Sequence, residues 1–463
     1  MDLDLERLAS LLPKYDVAGP RYTSYPTVPV WSDSYGADQF KAALGRIDQD
    51  AARNLALYIH IPFCSELCHY CACNRVITKN EELPKRFLSV IAEEIEAVRA
   101  CLPAEAWASQ IHLGGGTPTH LDPAQLGELM GSLTRAFPPT QDAELSIEVD
   151  PRVTTDDHVE ALRSWGFNRI SLGVQDFDPR VQKAIHRIQS PETVGALTES
   201  SRRAKFSSVN FDLIYGLPFQ TVASFDRTLD QVFKLQPDRV ALYSYAHVTW
   251  LAKQQRGFER IDLPSSDLKL EIMLHAIRRF LDEGYIHIGM DHFAKRDEAL
   301  AQAAATGQLR RNFMGYTTQA SGDLIGLGPS AISECAGQYA QSHRKLGDWE
   351  DAVSKGELPT MRGHSLSDED RRRSWVIRQI MCAGRVAGEA YRKEFGRELG
   401  DDFSTELGSM DQVVRDGLVV LEADDGFRVT PTGNLLLRNL AMIFDAYLPS
   451  QREGGQPMFS KTV

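Results

Sequence analysis

Leu55-Ala-Leu-Tyr-Ile-His-Ile-Pro-Phe63 runs directly into Cys64-Ser-Glu-Leu-Cys68-His-Tyr-Cys71-Ala-Cys73. An apolar run of strand length thus delivers four cysteines within ten residues, spaced C-x3-C-x2-C-x-C. Three thiolates this close can hold three irons of a cubane cluster and leave the fourth iron open. An open iron can bind a small molecule and pass it an electron. Zinc is the competing reading. Zinc sites usually close a tetrahedron with two short cysteine hooks, or one hook and a distant histidine pair. Here one cluster of cysteines lies on one loop, and no second hook occurs. His60 and His69 flank it, so residue type alone leaves zinc open.

Outward from this loop the chain alternates short apolar runs with amphipathic stretches. Strands are predicted at 55–61, 110–113, 145–149, 169–174, 209–214 and 240–245, and helices at 83–100, 123–136, 155–165, 191–205, 225–235 and 268–283. Asp122 followed by Pro123 is a helix start, an N-cap with Pro in the first turn. Such alternation implies parallel strands with crossover helices, in a barrel or a doubly wound sheet. Cys64, Gly115, Glu148, Gln175, Asp212 and Ala246 all fall at or just after the C-terminal end of a predicted strand. A β/α barrel gathers such positions on one rim. An open sheet gathers them less completely, so a barrel is favoured.

The ranges on either side read differently. Residues 1–50 form a leader, and Tyr15–Thr27 within it is too polar and Pro-broken for a regular core element. It reads as an extended arm lying across something else. After about residue 365 the alternation stops. Helices at 368–382, 389–395 and 434–446, with a hairpin-like unit at 417–433, suggest a small, mostly helical C-terminal domain. The expected organisation is an arm (1–50), a catalytic domain (51–364) and the C-terminal domain (365–463).

The formal net charge is −12, and no basic block or stripe is visible, which argues against nucleic acid as a partner. A polyanionic substrate would need a locally basic site, and Arg21, Arg169, Arg187, Arg310 and Arg311 are candidates for it. No apolar run is long enough to span a bilayer. The N-terminus has early acids and no apolar h-region, so it does not read as a secretory signal. Seven cysteines, four of them bunched, fit a reducing compartment and metal chemistry better than a disulfide framework, with the cytoplasm as the default.

The tract YIHIPFCSELCHYCACN (58–74) resembles the radical SAM superfamily. Together with YDVAGPRYTSYPT (15–27), HLGGGTPT (112–119), SIEVDPR (146–152), NRISLGVQDF (168–177), FDLIYGLPFQT (211–221), YSYAHV (243–248), GMDHFAK (289–295), NFMGYTTQ (312–319) and RNLAMIFDAYL (438–448), it resembles the oxygen-independent coproporphyrinogen III oxidases. The resemblance implies an incomplete β/α (TIM-like) barrel of the radical SAM type, with an N-terminal arm and a small C-terminal domain. It also implies a [4Fe-4S] cluster that cleaves S-adenosyl-L-methionine to a 5′-deoxyadenosyl radical. That radical opens two propionate side chains of coproporphyrinogen III to vinyl groups, giving protoporphyrinogen IX for haem synthesis. The implied setting is a monomer served by an electron donor such as flavodoxin or ferredoxin.

By the same resemblance Cys64, Cys68 and Cys71 hold the cluster, and Cys73 does not. Two molecules of S-adenosyl-L-methionine are implied. Tyr58, Gly115, Glu148 and Ile332 match positions around the cluster-bound one, with Glu148 and Tyr58 as the pair closest to the chemistry. Glu148 can accept hydrogen bonds from an amine. Tyr70, Gly116, Thr117, Gln175, Arg187, Asp212 and Ala246 match positions around the second molecule. The chain departs from the family pattern at Ala72, where Gly is usual, at Arg296, where Pro is common, and at Met314, where the family reads Gln. The last removes a donor and acceptor in a region linked to the second cofactor. A haem-binding chaperone on the same scaffold is the alternative; such relatives usually lack the fourth cysteine and the long arm.

Overall fold

The computed structural model describes residues 4–249, 252–319, 322–449 and 459–462. It divides into two compact units. One comprises Trp31–Pro264 with Gln319–Ser365, the other Met1–Val30 with Ser265–Thr318 and Leu366–Val463. Compactness therefore groups the chain non-consecutively.

The first unit is built on six parallel strands: β1 Leu55–Ile61, β2 Ala108–Gly115, β3 Pro139–Val149, β4 Arg169–Gln175, β5 Ser208–Tyr215 and β6 Arg239–Ser244. Each lies beside its neighbour in sequence order. Helices connect all five neighbouring pairs: α1 Glu82–Arg99, α2 Pro123–Ala136, α3 Asp156–Ser164, α4 Pro191–Arg203 and α5 Val222–Leu235. Parallel neighbours need such crossovers, because a tight turn cannot return the chain to the same end of the sheet. The result is the partial β/α barrel that the strand–helix alternation suggested. Strands covered on both faces read as continuous apolar runs. In β1 every residue is buried except Tyr58, which is partly exposed.

The helix starts follow the chemistry of their caps. The Asp122 carboxylate accepts from the Gln125 N–H at 2.9 Å, with Pro123 in the first turn. Thr155 and Thr221 cap α3 and α5 in the same way. Each cap satisfies an orphan N–H and contributes roughly 1 kcal/mol.

Alternation ends earlier than the sequence suggested. On the other side of β1 lies a parallel strand, β7 Asp323–Leu327. An antiparallel meander follows: β8 Ile332–Cys335, β9 Gln338–Ser342 and β10 Thr360–Ser365. Only Ala336 and Gly337 separate β8 from β9, both with positive φ (46° and 71°). Two such residues make the primed turn that suits a hairpin, so no crossover is possible there.

The second unit packs helices around a small sheet. Leu8, Leu12 and Tyr15 form the buried stripe of the helix Leu5–Tyr15, which the leader's turn signals had obscured. Tyr22 and Tyr25 of the arm are buried with them. The same core holds Val376 and Ile380 of the helix Asp368–Ala383, and Leu440 of Leu437–Met442. The arm thus lies across an apolar core as expected, and its tyrosines are part of that core. The expected hairpin is a three-stranded sheet, because Arg385–Val386 pairs with Phe427–Val429 beside Val419–Leu421. The helix expected at 434–446 is a 3-10 turn, Gly433–Leu436, followed by the short helix Leu437–Met442.

Candidate active site

Backbone fixes where the cysteines sit. As β1 ends, the Gly116 N–H donates to Ile61 O and the Thr117 N–H to Phe63 O, both at 2.8 Å. The end of β2 is thereby laced to the strand that carries Cys64. A Cβ on Gly116 would lie 2.7 Å from the carbonyl oxygens of Pro62 and Phe63. Gly115 has φ +117° and would meet the His60 ring at 2.9 Å. These two glycines are required by close approach, a stronger reason than the turn signal their sequence offers. The lacing places the Thr117 hydroxyl 3.4 Å from Cys64 Sγ.

A cavity of about 710 Å3 opens at these strand ends. Cys64, Cys68 and Cys71 line it, with Tyr70, Gly115, Gly116, Thr117, Glu148, Gln175, Arg187 and Asp212. Eleven of the fourteen positions expected from the sequence are brought together in this way. Tyr58, Ala246 and Ile332 are not in that lining, and each is tied to it at one remove. A Cβ on Gly114 would meet the Tyr58 ring at 3.0 Å and Glu148 Oε2 at 3.2 Å. Tyr58 pairs in register with Gly326 of β7, where a Cβ would lie 2.4 Å from the Ile332 carbonyl oxygen. The Gln255 side-chain amide donates to both Ala246 O (3.1 Å) and Tyr70 O (2.9 Å).

Asp212 corrects the strand-end picture. It lies inside β5, three residues before Tyr215, and lines the cavity from within the strand. Gln175 ends β4 at a register shift and has φ +66°, so a bulge aims it away from the strand's alternation.

The charges are sorted around the cysteines. Arg187 and Arg152 direct N–H groups at Cys68 Sγ, at 3.6 Å and 3.5 Å. Asp150 sits between them and accepts from Arg187 (2.9 Å) and Arg152 (2.7 Å). Arg187 also donates to Gly173 O, so its guanidinium is already engaged by protein groups. Asp150 and Arg152 lie within SIEVDPR but were not read as site residues. Their signal was an acid and a base two residues apart, directly past a strand end. A hydrogen bond from Cys73 pulls the Cys71 thiol down to about 6, against burial and with help from Arg75 and Arg187. Burial pushes Cys64 up to about 11, opposed by Thr117.

A second group of charges surrounds Glu148. Desolvation by the cavity wall would raise its half-exposed carboxyl, but His112, the Gly115 N–H and His60 together hold it below the usual range. His112 Nε2 lies 3.5 Å from its carboxylate, and His112 Nδ1 pairs with Ser146 Oγ at 2.7 Å. The Tyr58 ring stacks on His112. His60 Nε2 donates to Asn74 O at 2.8 Å, which leaves Nδ1 to accept from the Tyr58 hydroxyl at 2.9 Å. Asp212 is pushed up to about 7 by burial and by Glu148, against hydrogen bonds from Ser171 and Asn210.

This donor set fits a cubane cluster beside a cationic ligand. Among the described residues no three His, Cys, Asp or Glu side chains are placed to hold a single metal ion. A cubane does not ask for that, since each thiolate takes a different iron. Sulfurs with hydrogen-bond donors around them suit an anionic cluster.

Comparison with known proteins agrees. Residues 58–232 match the radical SAM superfamily, the class that this fold and site define. The chain is 43% identical over 445 residues to the oxygen-independent coproporphyrinogen III oxidase of Pseudomonas aeruginosa, covering 96% of both chains. It is 41% identical over 454 residues to that of Escherichia coli, covering 98% of both. The solved structure of coproporphyrinogen III oxidase from Escherichia coli, described as a radical SAM enzyme, superposes with a TM-score of 0.90 at 40% identity. It covers 96% of this chain and 99% of that one. The chain belongs to the family of oxygen-independent coproporphyrinogen III oxidases, and its cofactors are a [4Fe-4S] cluster and S-adenosyl-L-methionine.

Proposed function

We infer that the protein carries out the oxygen-independent oxidative decarboxylation of two propionate side chains of coproporphyrinogen III, giving protoporphyrinogen IX. The observation that carries this is one cavity lined by Cys64, Cys68 and Cys71 together with Glu148 and Asp212, in a chain related over its full length to that family. When bound, the cluster would supply one-electron reducing power to S-adenosyl-L-methionine, which would in turn supply the hydrogen-abstracting group.

The chain's own residues set the conditions for that chemistry. Cys64, Cys68 and Cys71 are the cluster ligands. Arg152 and Arg187 offset negative charge at Cys68. Glu148, ionised by its histidine neighbours, receives the ammonium of the methionine moiety, and Tyr58 backs it through the His60 and His112 network. Tyr70, Gly116, Thr117, Gln175, Arg187, Asp212 and Ala246 serve a second molecule of S-adenosyl-L-methionine. Gly115 and Ile332 complete the first site. Residues 51–364 carry this machinery, with 1–50 as the arm and 365–463 as the C-terminal domain. The protein acts as a cytoplasmic monomer, reduced by a flavodoxin or ferredoxin; no helix among the described residues is long and apolar enough to cross a membrane.

The test is an anaerobic assay of the reconstituted protein with S-adenosyl-L-methionine, a reductant and coproporphyrinogen III. Products are oxidised and separated by fluorescence chromatography. Protoporphyrin that forms only when S-adenosyl-L-methionine is present is expected. No conversion by a protein with an intact cluster, combined with tight haem binding, would point to the chaperone instead.

A further inference from the structure

Three guanidiniums line the cofactor cavity, those of Arg75, Arg152 and Arg187. Two of them are matched by acids of the chain. Arg187 pairs with Asp150, and Arg152 pairs with Asp150 and Glu66. Arg75 differs from both. One of its terminal nitrogens donates to the Cys73 carbonyl at 2.7 Å, and its Nε is buried with no hydrogen-bond partner. Among the described residues no carboxylate forms an ion pair with it. Lys79 adds a second positive charge to the same wall.

The segment that carries Arg75 is fixed on both sides. Asn74 O accepts from His60 Nε2 at 2.8 Å, and the Asn74 side-chain amide donates to Arg344 O at 2.9 Å. Beyond Arg75, the Val76 N–H donates to Pro62 O at 2.7 Å and the Thr78 N–H to Cys64 O at 3.0 Å. Phe63–Cys64 and Val76–Ile77 thus pair as a short parallel ladder. All of these residues belong to the unit built on β1–β6. The backbone of Arg75 is therefore set relative to Cys64, and only its side chain is left to find a partner. A buried N–H without an acceptor is costly, and a cation drawn out of water is costlier unless an anion meets it. Arg75 remains partly exposed and faces the cavity, so an anion can reach it.

We propose that Arg75 is the carboxylate anchor of this cavity. The guanidinium edge formed by Nε and the second terminal nitrogen carries no protein partner, and such an edge offers a carboxylate two parallel N–H donors. Arg152 and Arg187 are less suited, because acids of the chain already hold them. Two molecules assigned to the cavity carry the group: S-adenosyl-L-methionine in its methionine moiety, and coproporphyrinogen III in its propionates. The proposal rests on the reading that places them here. The competing role for Arg75 is charge compensation at Cys71, whose thiol it helps to lower.

The experiment is an anaerobic equilibrium titration of the full-length protein with its cluster reconstituted. The ligands are S-adenosyl-L-methionine, its decarboxylated form, which keeps the ammonium and the sulfonium, and coproporphyrin III, the fluorescent oxidised form of the substrate. Arg75→Gln is expected to lose about tenfold or more in affinity for a carboxylate-bearing ligand and to bind the decarboxylated form within about twofold of wild type. A loss for S-adenosyl-L-methionine assigns Arg75 to the cofactor's carboxylate; a loss for coproporphyrin III assigns it to a propionate. Arg75→Lys keeps the charge without the planar fork and decides the matter if Arg75→Gln does not take up iron. Its expected loss for the same ligand is about two- to tenfold. Unchanged affinity for both carboxylate-bearing ligands in Arg75→Gln, or in Arg75→Lys where only that variant holds the cluster, would overturn the anchor. An equal loss for S-adenosyl-L-methionine and its decarboxylated form would mark a role in shaping the loop and overturn it as well. A wild-type protein that holds its cluster but binds neither S-adenosyl-L-methionine nor coproporphyrin III would show that the reading of the cavity itself had failed.

Discussion

Around Cys68 the cavity wall presents guanidiniums; around Glu148 and Asp212 it presents carboxylates. Arg152 and Arg187 reach Cys68 Sγ at 3.5 Å and 3.6 Å. Glu148, its side chain half-exposed to the cavity, is held ionised by His112, the Gly115 N–H and His60. Asp212 is driven the other way, up to about 7, by burial and by Glu148 itself. The same strand, β3, carries Glu148 one residue before its end and leads from it within four residues to Arg152, so a single strand end supplies both signs. Separating charge in this way costs desolvation on both sides. It suits a cavity that must hold an anionic cluster next to a ligand bearing an ammonium and a sulfonium.

The largest effect is expected on the cysteine side. If Cys68 is a cluster ligand, Cys68→Ser deprives one iron of its thiolate, and 5′-deoxyadenosine formation should fall to background. Near-normal 5′-deoxyadenosine from that variant would remove the basis for assigning the cluster to this loop.

A smaller loss is expected on the acidic side. Glu148→Gln keeps the size of the side chain and removes its charge. Hydrogen bonds to a charged group are worth about 1.5–3 kcal/mol, so S-adenosyl-L-methionine affinity should fall by about 10- to 150-fold. Iron content should be unchanged. Equal affinity in the two proteins would break the contrast between the walls.

Asp212 sharpens the contrast through pH. Burial and Glu148 push its carboxyl up to about 7, so near neutrality a sizeable fraction is protonated. A cationic ligand beside it favours the ionised form and lowers that value. Binding of S-adenosyl-L-methionine should therefore release protons near pH 6–7, and the release should fade as pH rises well above about 7. Calorimetry in buffers of different ionisation enthalpy measures this directly. Proton release that persists unchanged in Asp212→Asn would assign it elsewhere.

What the sequence made legible follows from how local each signal was. The six parallel strands could be read because each is an apolar run next to its own crossover helix. The cysteine loop could be read because Cys64, Cys68 and Cys71 lie close together along the chain, and all three line one cavity. Asp150 and Arg152 were overlooked although they lie within a quoted motif. Their role depends on Arg187, which arrives from beyond β4, and spacing along the chain does not show that meeting. The meander Ile332–Ser365 was missed for a related reason. Its strands carry Ser333, Gln341 and Ser342 as buried residues, so they lack the apolar pattern of β1. Their pairing is set by neighbours and by the turn at Ala336-Gly337. The helix Leu5–Tyr15 was legible in principle, since Leu5, Leu8, Leu12 and Tyr15 recur at helical spacing. Proline and glycine signals further along the leader drew the reading away from it.

The contrast between the two walls is tested most directly by the reduction potential of the bound cluster, followed by electron paramagnetic resonance during a potentiometric titration. Hydrogen bonds and positive charge at a cluster's sulfurs raise its potential. Arg152→Met removes one of the two guanidiniums at Cys68 and leaves Arg187 in place, so its midpoint is expected below that of the wild type. Glu148→Gln, which removes an acid, is expected not to lower it. A midpoint unmoved by Arg152→Met, or lowered by Glu148→Gln, would contradict the division of charge on which this description of the site rests.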